Sequence, residues 1–225
     1  MKKIKILIPP SEGKLSGGKY EKLSTISDIT KILINGINSY KDDLSKLYGV
    51  TGKALEKAIR TNKNILSSMT LPAIERYSGV VYKAIDYNSI ENKNLFDERV
   101  LILSALFGLL SPKEKIPDYK LKINKLDTTK LWKDELKGKL DDFFVIDLLP
   151  KTHRKVISYK DGIAVDFFIT KNNIKKPSGH NGKYIKGRFV RWLIENDIRS
   201  PDEFHKFSED GYIYNNATKS FIKYL

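Results

Sequence analysis

Four short stretches of this chain gather side chains that can do chemistry. Ser11-Glu12-Gly13-Lys14 follows Pro9-Pro10 and offers a hydroxyl, a carboxylate and an amine within four positions. Glu12 is placed to act as a general base, and Lys14 to neutralise an anion. Gly13, and then Gly17-Gly18, let backbone approach a ligand closely. The stretch is not a phosphate-binding P-loop, because Leu15 stands where that motif needs Ser or Thr. Tyr119, flanked by Asp118 and Lys120, and Lys183-x-x-Lys186-Gly187-Arg188 form two further basic groups. Gly49-Val50-Thr51-Gly52-Lys53 is the fourth: two glycines and a lysine between helical patterns, the outline of a helix-hairpin-helix whose amides and lysine contact phosphates. An ordinary connection, with Gly49 ending one helix and Thr51 capping the next, accounts for the same residues. Tyr82 follows Gly79-x-Val81 and completes the catalytic candidates with Glu12 and Lys14.

Buried strands must position these groups. Lys3–Ile8, Val100–Leu103 and Asp142–Leu149 are short apolar runs, each closing on proline or small residues, as strands covered on both faces do. Ligands of such sheets collect beyond the carboxyl ends of the strands, which points to the Ser11 loop and to Gly108–Lys122. Helices are expected over Ser27–Asn38, Asp42–Tyr48, from Thr51, from Thr70-Leu71-Pro72 to Ser78-Gly79, over Asn88–Glu98, Thr128–Leu140 and Lys183–Asn196, with a capped start at Ser200-Pro201. Val80–Ile85 fits strand or helix. Lys155–Tyr159 and Ile163–Ile169 read as a hairpin turning at Lys160-Asp161-Gly162, followed by a polar loop, Asn172–Gly182. On the last long helix Lys186 falls among Ile185, Phe189, Val190 and Leu193. An ammonium there either snorkels to solvent or meets an anion. Arg188 and Arg191 fall on the polar side.

Composition limits the classes of function. The chain has no cysteine, and His153, His180 and His205 lie far apart, so thiol chemistry, zinc fingers and iron–sulfur ligation are excluded and no metal or cofactor is expected. No apolar run reaches membrane-spanning length. The N-terminal Lys-Lys-Ile-Lys-Ile alternates like a strand of a cytoplasmic protein, not like a signal sequence. A net charge of +14 suits a polyanionic partner, nucleic acid or a nucleotide. A Lys-, Ile- and Asn-rich chain also reflects an AT-rich coding sequence.

Several of these stretches, taken together, resemble the peroxide stress protein YaaA family. They are Pro9-Pro10-Ser11-Glu12-Gly13-Lys14, Gly79-x-Val81-Tyr82, Leu103-Ser104-Ala105-Leu106-Phe107-Gly108-Leu109-Leu110-x-Pro112, Ile116-Pro117-Asp118-Tyr119-Lys120-Leu121, Lys183-x-x-Lys186-Gly187-Arg188 and Asp210-Gly211-Tyr212. The resemblance implies a single α/β domain over 1–225, with a central mixed sheet wrapped by helices and a helix-hairpin-helix near 44–60. It implies a cytoplasmic bacterial protein of the peroxide response that limits oxidative DNA damage and free iron. It further implies a positively charged cleft that binds DNA; since the chain has no major-groove reading motif, duplex or distorted DNA is expected to bind with little sequence preference. Under that reading the DNA contacts are Lys14, Gly49, Gly52, Lys53, Tyr119, Lys120, Lys183, Lys186 and Arg188. Lys120 and Lys186 stand where the family commonly has Arg, and a lysine binds phosphate as a point charge. The alternative is an enzyme acting on a nucleobase or nucleotide, glycosylase-like or base-modifying, through the Ser11–Lys14 loop. An iron-binding scaffold is disfavoured by the missing Cys and His clusters.

Overall fold

A computed structural model describes residues 2–172 and 174–225. In chain order the elements are β1 (Lys3–Ile8), α1 (Asp28–Ser39), α2 (Leu44–Tyr48), α3 (Gly52–Lys63), β2 (Leu71–Pro72), α4 (Ala73–Arg76), α5 (Val80–Ile85) and α6 (Lys93–Arg99). There follow β3 (Val100–Ser104), β4 (Gly108–Leu110), β5 (Lys115–Ile116), α7 (Thr128–Glu135), β6 (Phe143–Asp147), α8 (Lys151–Arg154), β7 (Asp161–Ala164), β8 (Asp166–Lys171), β9 (Ile174–Pro177), α9 (Gly179–Glu195), β10 (Ile213–Asn215) and β11 (Ser220–Tyr224). Short 3-10 turns at Tyr87–Ser89 and Pro201–Lys206 complete them.

The main sheet has the order β4-β3-β1-β6-β7. β3, β1, β6 and β7 run parallel, and β4 folds back antiparallel on β3. Ile6, Leu7, Ile8, Ile102, Leu103, Val145 and Ile146 are almost wholly buried, as their unbroken apolar runs require. A second sheet, β10-β11-β8-β9, is mixed. Phe167 and Phe221 stack on it against Phe189 of α9. One contiguous core joins the two sheets, which makes the architecture a single α/β unit with mixed sheets.

α5 and α9 cross at very short range. A Cβ on Gly187 would stand 2.3 Å from the Val81 carbonyl oxygen, so only glycine permits the approach. The Gly49 stretch is helix, turn, helix: Gly49 caps α2 in the left-handed region (φ 63°), and Gly52 opens α3 at φ 57°. Thr51 precedes α3 without a side-chain cap.

Several local expectations are corrected. The hairpin at 155–169 does not form: β7 pairs in parallel with β6, and β8 belongs to the other sheet. Gly162 is a strand residue, glycine because a Cβ would lie 2.4 Å from the Val145 carbonyl oxygen. Beyond the apolar run Val100–Leu103, Leu109 and Leu110 fold back and continue the main sheet in β4. The polar loop at 172–182 holds β9 and the start of α9, and Val80–Ile85 is helix. Thr70-Leu71-Pro72 pairs Leu71 with Ile116 before α4 begins.

Candidate functional site

β1 is flanked by β3 on one side and β6 on the other, so successive strands leave it in opposite directions. That is a topological switch point, and a crevice opens beyond its carboxyl ends. A cavity of about 220 Å³ occupies it. Pro10, Ser11, Glu12 and Lys14 line it from the loop after β1, Ala105 from the end of β3, Thr152 and His153 from α8 after β6, and Tyr119 to Asn124 from a loop that crosses over.

Lys14 sits at the heart of this site, partly buried. Its ammonium donates to the Ser11 carbonyl oxygen (3.0 Å) and lies 4.2 Å from the centre of the Tyr119 ring and 5.4 Å from that of Tyr77. Loss of solvent, opposed by Asp118 and reinforced by Lys120 and Arg76, brings its pKa down to about 8. Arg76 is wholly buried nearby and donates to the carbonyl oxygens of Leu15, Met69 and Ile116, with no carboxylate partner among the described residues. A buried guanidinium satisfied only by carbonyls keeps its charge. The amine beside it is therefore the group that yields a proton.

Beneath Lys14 a chain of hydroxyls runs from Tyr77 through Tyr119 to Ser104, 2.8 Å at each step. Ser104 Oγ accepts from the amides of Leu106 and Phe107, which fixes the β3–β4 turn. Burial raises the Tyr119 hydroxyl to about 12. Lys120 pairs with Glu12 at 3.0 Å, and that hydrogen bond holds the Glu12 carboxyl below its usual range. The Lys120 backbone is clamped by Asn62, whose side chain both donates to its carbonyl and accepts from its amide at 2.8 Å.

At the end of β6 a second charged group adjoins the cavity. Asp147 accepts from the Leu149 amide (2.7 Å) and lies 3.2 Å from Arg154 Nε; Arg154 also bonds Asp166 at 2.9 Å. Lys186 reaches this corner from α9 and donates to the Leu148 carbonyl oxygen. Burial, then the neighbouring Arg154, lowers its pKa to about 8. His153 is pushed down to about 4, by burial and then by Lys186, and is neutral near pH 7.

The expected residues thus divide. Glu12, Lys14, Tyr119 and Lys120 line one cavity, with Lys186 just behind His153. Tyr82 is not among the lining residues: its buried hydroxyl donates to the Pro9 carbonyl oxygen (2.8 Å) and anchors the loop. Arg188 pairs with Glu209 at 2.7 Å, and Lys183 is exposed on the first turns of α9. Gly49 borders the site indirectly, since Lys122 of the cavity wall lies where a Cβ on Gly49 would be, 2.3 Å from its Nζ. Gly52 and Lys53 are exposed. Lys122 falls at the end of the stretch expected to bear ligands, whereas His153, Thr152 and Arg76 lie outside every expected site. The strand-end rule, applied to β6 as it was to β1, finds His153 and Thr152; Arg76 has no signal beyond being an arginine in an apolar stretch. Among the described residues no cluster of His, Cys, Asp or Glu is fit to hold a metal, and no helix is long and apolar enough to cross a membrane.

An open α/β protein with a cationic cavity at its strand ends is the class these features define. The chain matches the family described as peroxide stress protein YaaA over residues 4–218, and it belongs to that family. It is 30% identical to a UPF0246 protein of Corynebacterium glutamicum over 88% of this chain and 89% of that one. A UPF0246 protein of Finegoldia magna is 26% identical over 99% of both chains, and one of Francisella philomiragia 27% over 93% and 94%.

Proposed function

We propose that this member of the peroxide stress family binds DNA through its basic surface and draws a single nucleotide unit of a distorted duplex into the cavity beside Lys14. The observation that carries this reading is the continuity of the cavity wall with the glycine turn: Lys122 lines the cavity and packs over Gly49, at the junction of α2 and α3. In this reading the Gly49–Gly52 turn acts as a helix-hairpin-helix, its amides and Lys53 meeting backbone phosphates. Lys120 and Lys122 guide the strand toward the cavity. The sequence carries no major-groove reading motif, so little sequence preference is expected. The cavity, at about 220 Å³, is too small for duplex and suits one unstacked unit.

Binding by phosphate neutralisation releases counterions, so log K should fall with log salt at a slope of about −0.9 per phosphate. With about three to five phosphates engaged, affinity falls steeply between low and moderate salt. Fluorescence anisotropy with intact and bubble-containing duplexes measures it. Lys122→Met should shallow the slope by about one phosphate's worth. An affinity indifferent to salt removes the proposal.

The second reading, catalysis on a nucleotide, is favoured by one observation: an amine with a lowered pKa faces a cavity that also holds a neutral imidazole.

A further inference from the structure

We infer that Lys14 is a nucleophile toward aldehydes and that its substrate is the open-chain sugar aldehyde left in DNA where a base has been lost. This rests on the DNA-binding reading and goes beyond it by assigning a reaction and a reacting atom.

The geometry supports the amine as a reactant. Lys14 lines a cavity open to ligands, and its Nζ makes one hydrogen bond, to the Ser11 carbonyl, with no carboxylate partner among the described residues. Of the other cations nearby, Lys122 packs over Gly49 at the cavity wall, and the remaining two are already engaged. Lys120 is engaged by Glu12. Arg76 is enclosed by three carbonyls. A lysine desolvated next to another fixed cation is the arrangement that activates an amine for imine formation. Burial, helped by Lys120 and to a lesser degree Arg76, leaves a minor fraction of it unprotonated near neutral pH.

The product is accommodated as well. An iminium carries positive charge at the former amine nitrogen, and the Tyr119 ring lies 4.2 Å beneath that position. The step balances without an outside redox partner. The Nζ lone pair bonds to the aldehyde carbon, and the carbonyl electron pair moves to oxygen. That oxygen gathers two protons, one of them from the amine, and leaves as water, giving the iminium. Glu12 is the nearest carboxylate on the same loop to relay a proton, and neutral His153 faces the same cavity. The unmodified groups of nucleic acid offer no aldehyde, and loss of a base exposes one at C1′ of the ring-opened sugar. Such a site also leaves room: with no base attached, sugar and phosphate alone need to enter the cavity.

The test uses the full chain, sodium cyanoborohydride and two matched duplexes, one with a natural abasic site and one with its tetrahydrofuran analogue, which lacks the aldehyde. The expected result is a covalent protein–DNA species with the abasic duplex alone, mapped by tryptic mass spectrometry to Lys14. Lys14→Arg, which keeps the charge, should reduce trapping to background. Peptide mapping in the unaltered chain decides the matter even if that variant fails to fold. Anisotropy with the tetrahydrofuran duplex separates the two claims. Binding without an adduct, or an adduct spread over Lys120, Lys122 and other surface lysines, overturns the role of Lys14 and leaves DNA binding standing. Binding of neither duplex overturns both.

Discussion

Lys186 shows how a single side chain divides between stability and function. It lies on the apolar face of α9, as the helical spacing indicates, and its ammonium ends on the Leu148 carbonyl oxygen beside His153. Replacing it by Met keeps the stem and removes a charge that burial disfavours. The lost charged hydrogen bond costs about 1.5–3 kcal/mol, which the disappearance of the desolvation penalty offsets. Calorimetry at neutral pH should therefore show Lys186→Met unfolding at an unchanged or higher temperature; a large loss would make the ammonium a structural group. The pH dependence carries a definite sign. The folded pKa is about 8 against an ordinary 10.5, so the unfolded chain holds more protons between those values and stability rises with pH across that window. Lys14 contributes in the same direction. Lys186→Met should remove part of that rise, and His153, relieved of a neighbouring charge, should titrate higher by NMR.

At the level of elements, α5 and α9 set the angle at which Lys186 is presented. Gly187→Ala would drive a methyl to 2.3 Å from Val81 oxygen and 2.7 Å from Ala84 Cβ. Overpacking of this kind costs typically about 1–3 kcal/mol, and the backbone oxygen has little room to yield, so the upper part of that range is expected in urea unfolding. A loss below about 0.5 kcal/mol, the scale of an ordinary surface change, would show that the helices slide apart freely. The buried strands β1, β3 and β6 are legible from apolar runs, and the Ser11–Lys14 loop from its place after the first of them. The hairpin misreading at 155–169 has a physical source. Lys160-Asp161-Gly162 has the composition of a turn, but Gly162 is demanded by the neighbouring strand. Similarly, nothing local announces that the chain changes sheets at buried Val165, whose amide donates to the Asp147 carbonyl. Long-range pairing decides such points, and periodicity does not report it. The same holds for the site: Glu12 with Lys120, and Asn62 with the Lys120 backbone, are contacts between distant segments.

On the scale of the whole molecule, the family's tie to peroxide meets a chain without a thiol. Cysteine is absent, and Met69 is the one methionine beyond Met1, half exposed. Purified, metal-free protein should therefore consume peroxide at no more than one equivalent per methionine, with no turnover. Sustained turnover in a peroxide electrode would show a chemistry that these side chains do not supply. The sheet order carries a further consequence, for how the chain is made. β1 is the middle strand, yet its partners are Val100–Ile102 on one side and Phe143–Asp147 on the other. At ribosomal speeds of about 5–20 residues per second, the second partner follows on the order of ten seconds after β1. Until the first of them emerges Ile-Lys-Ile-Leu-Ile is an unpaired apolar ribbon, one edge stays open until the second does, and the pairing it awaits is of the slow, non-local kind. The nascent chain is thus at its most adhesive before its binding site exists, and a holding chaperone at the ribosome has its clearest purchase on residues 4 to 8.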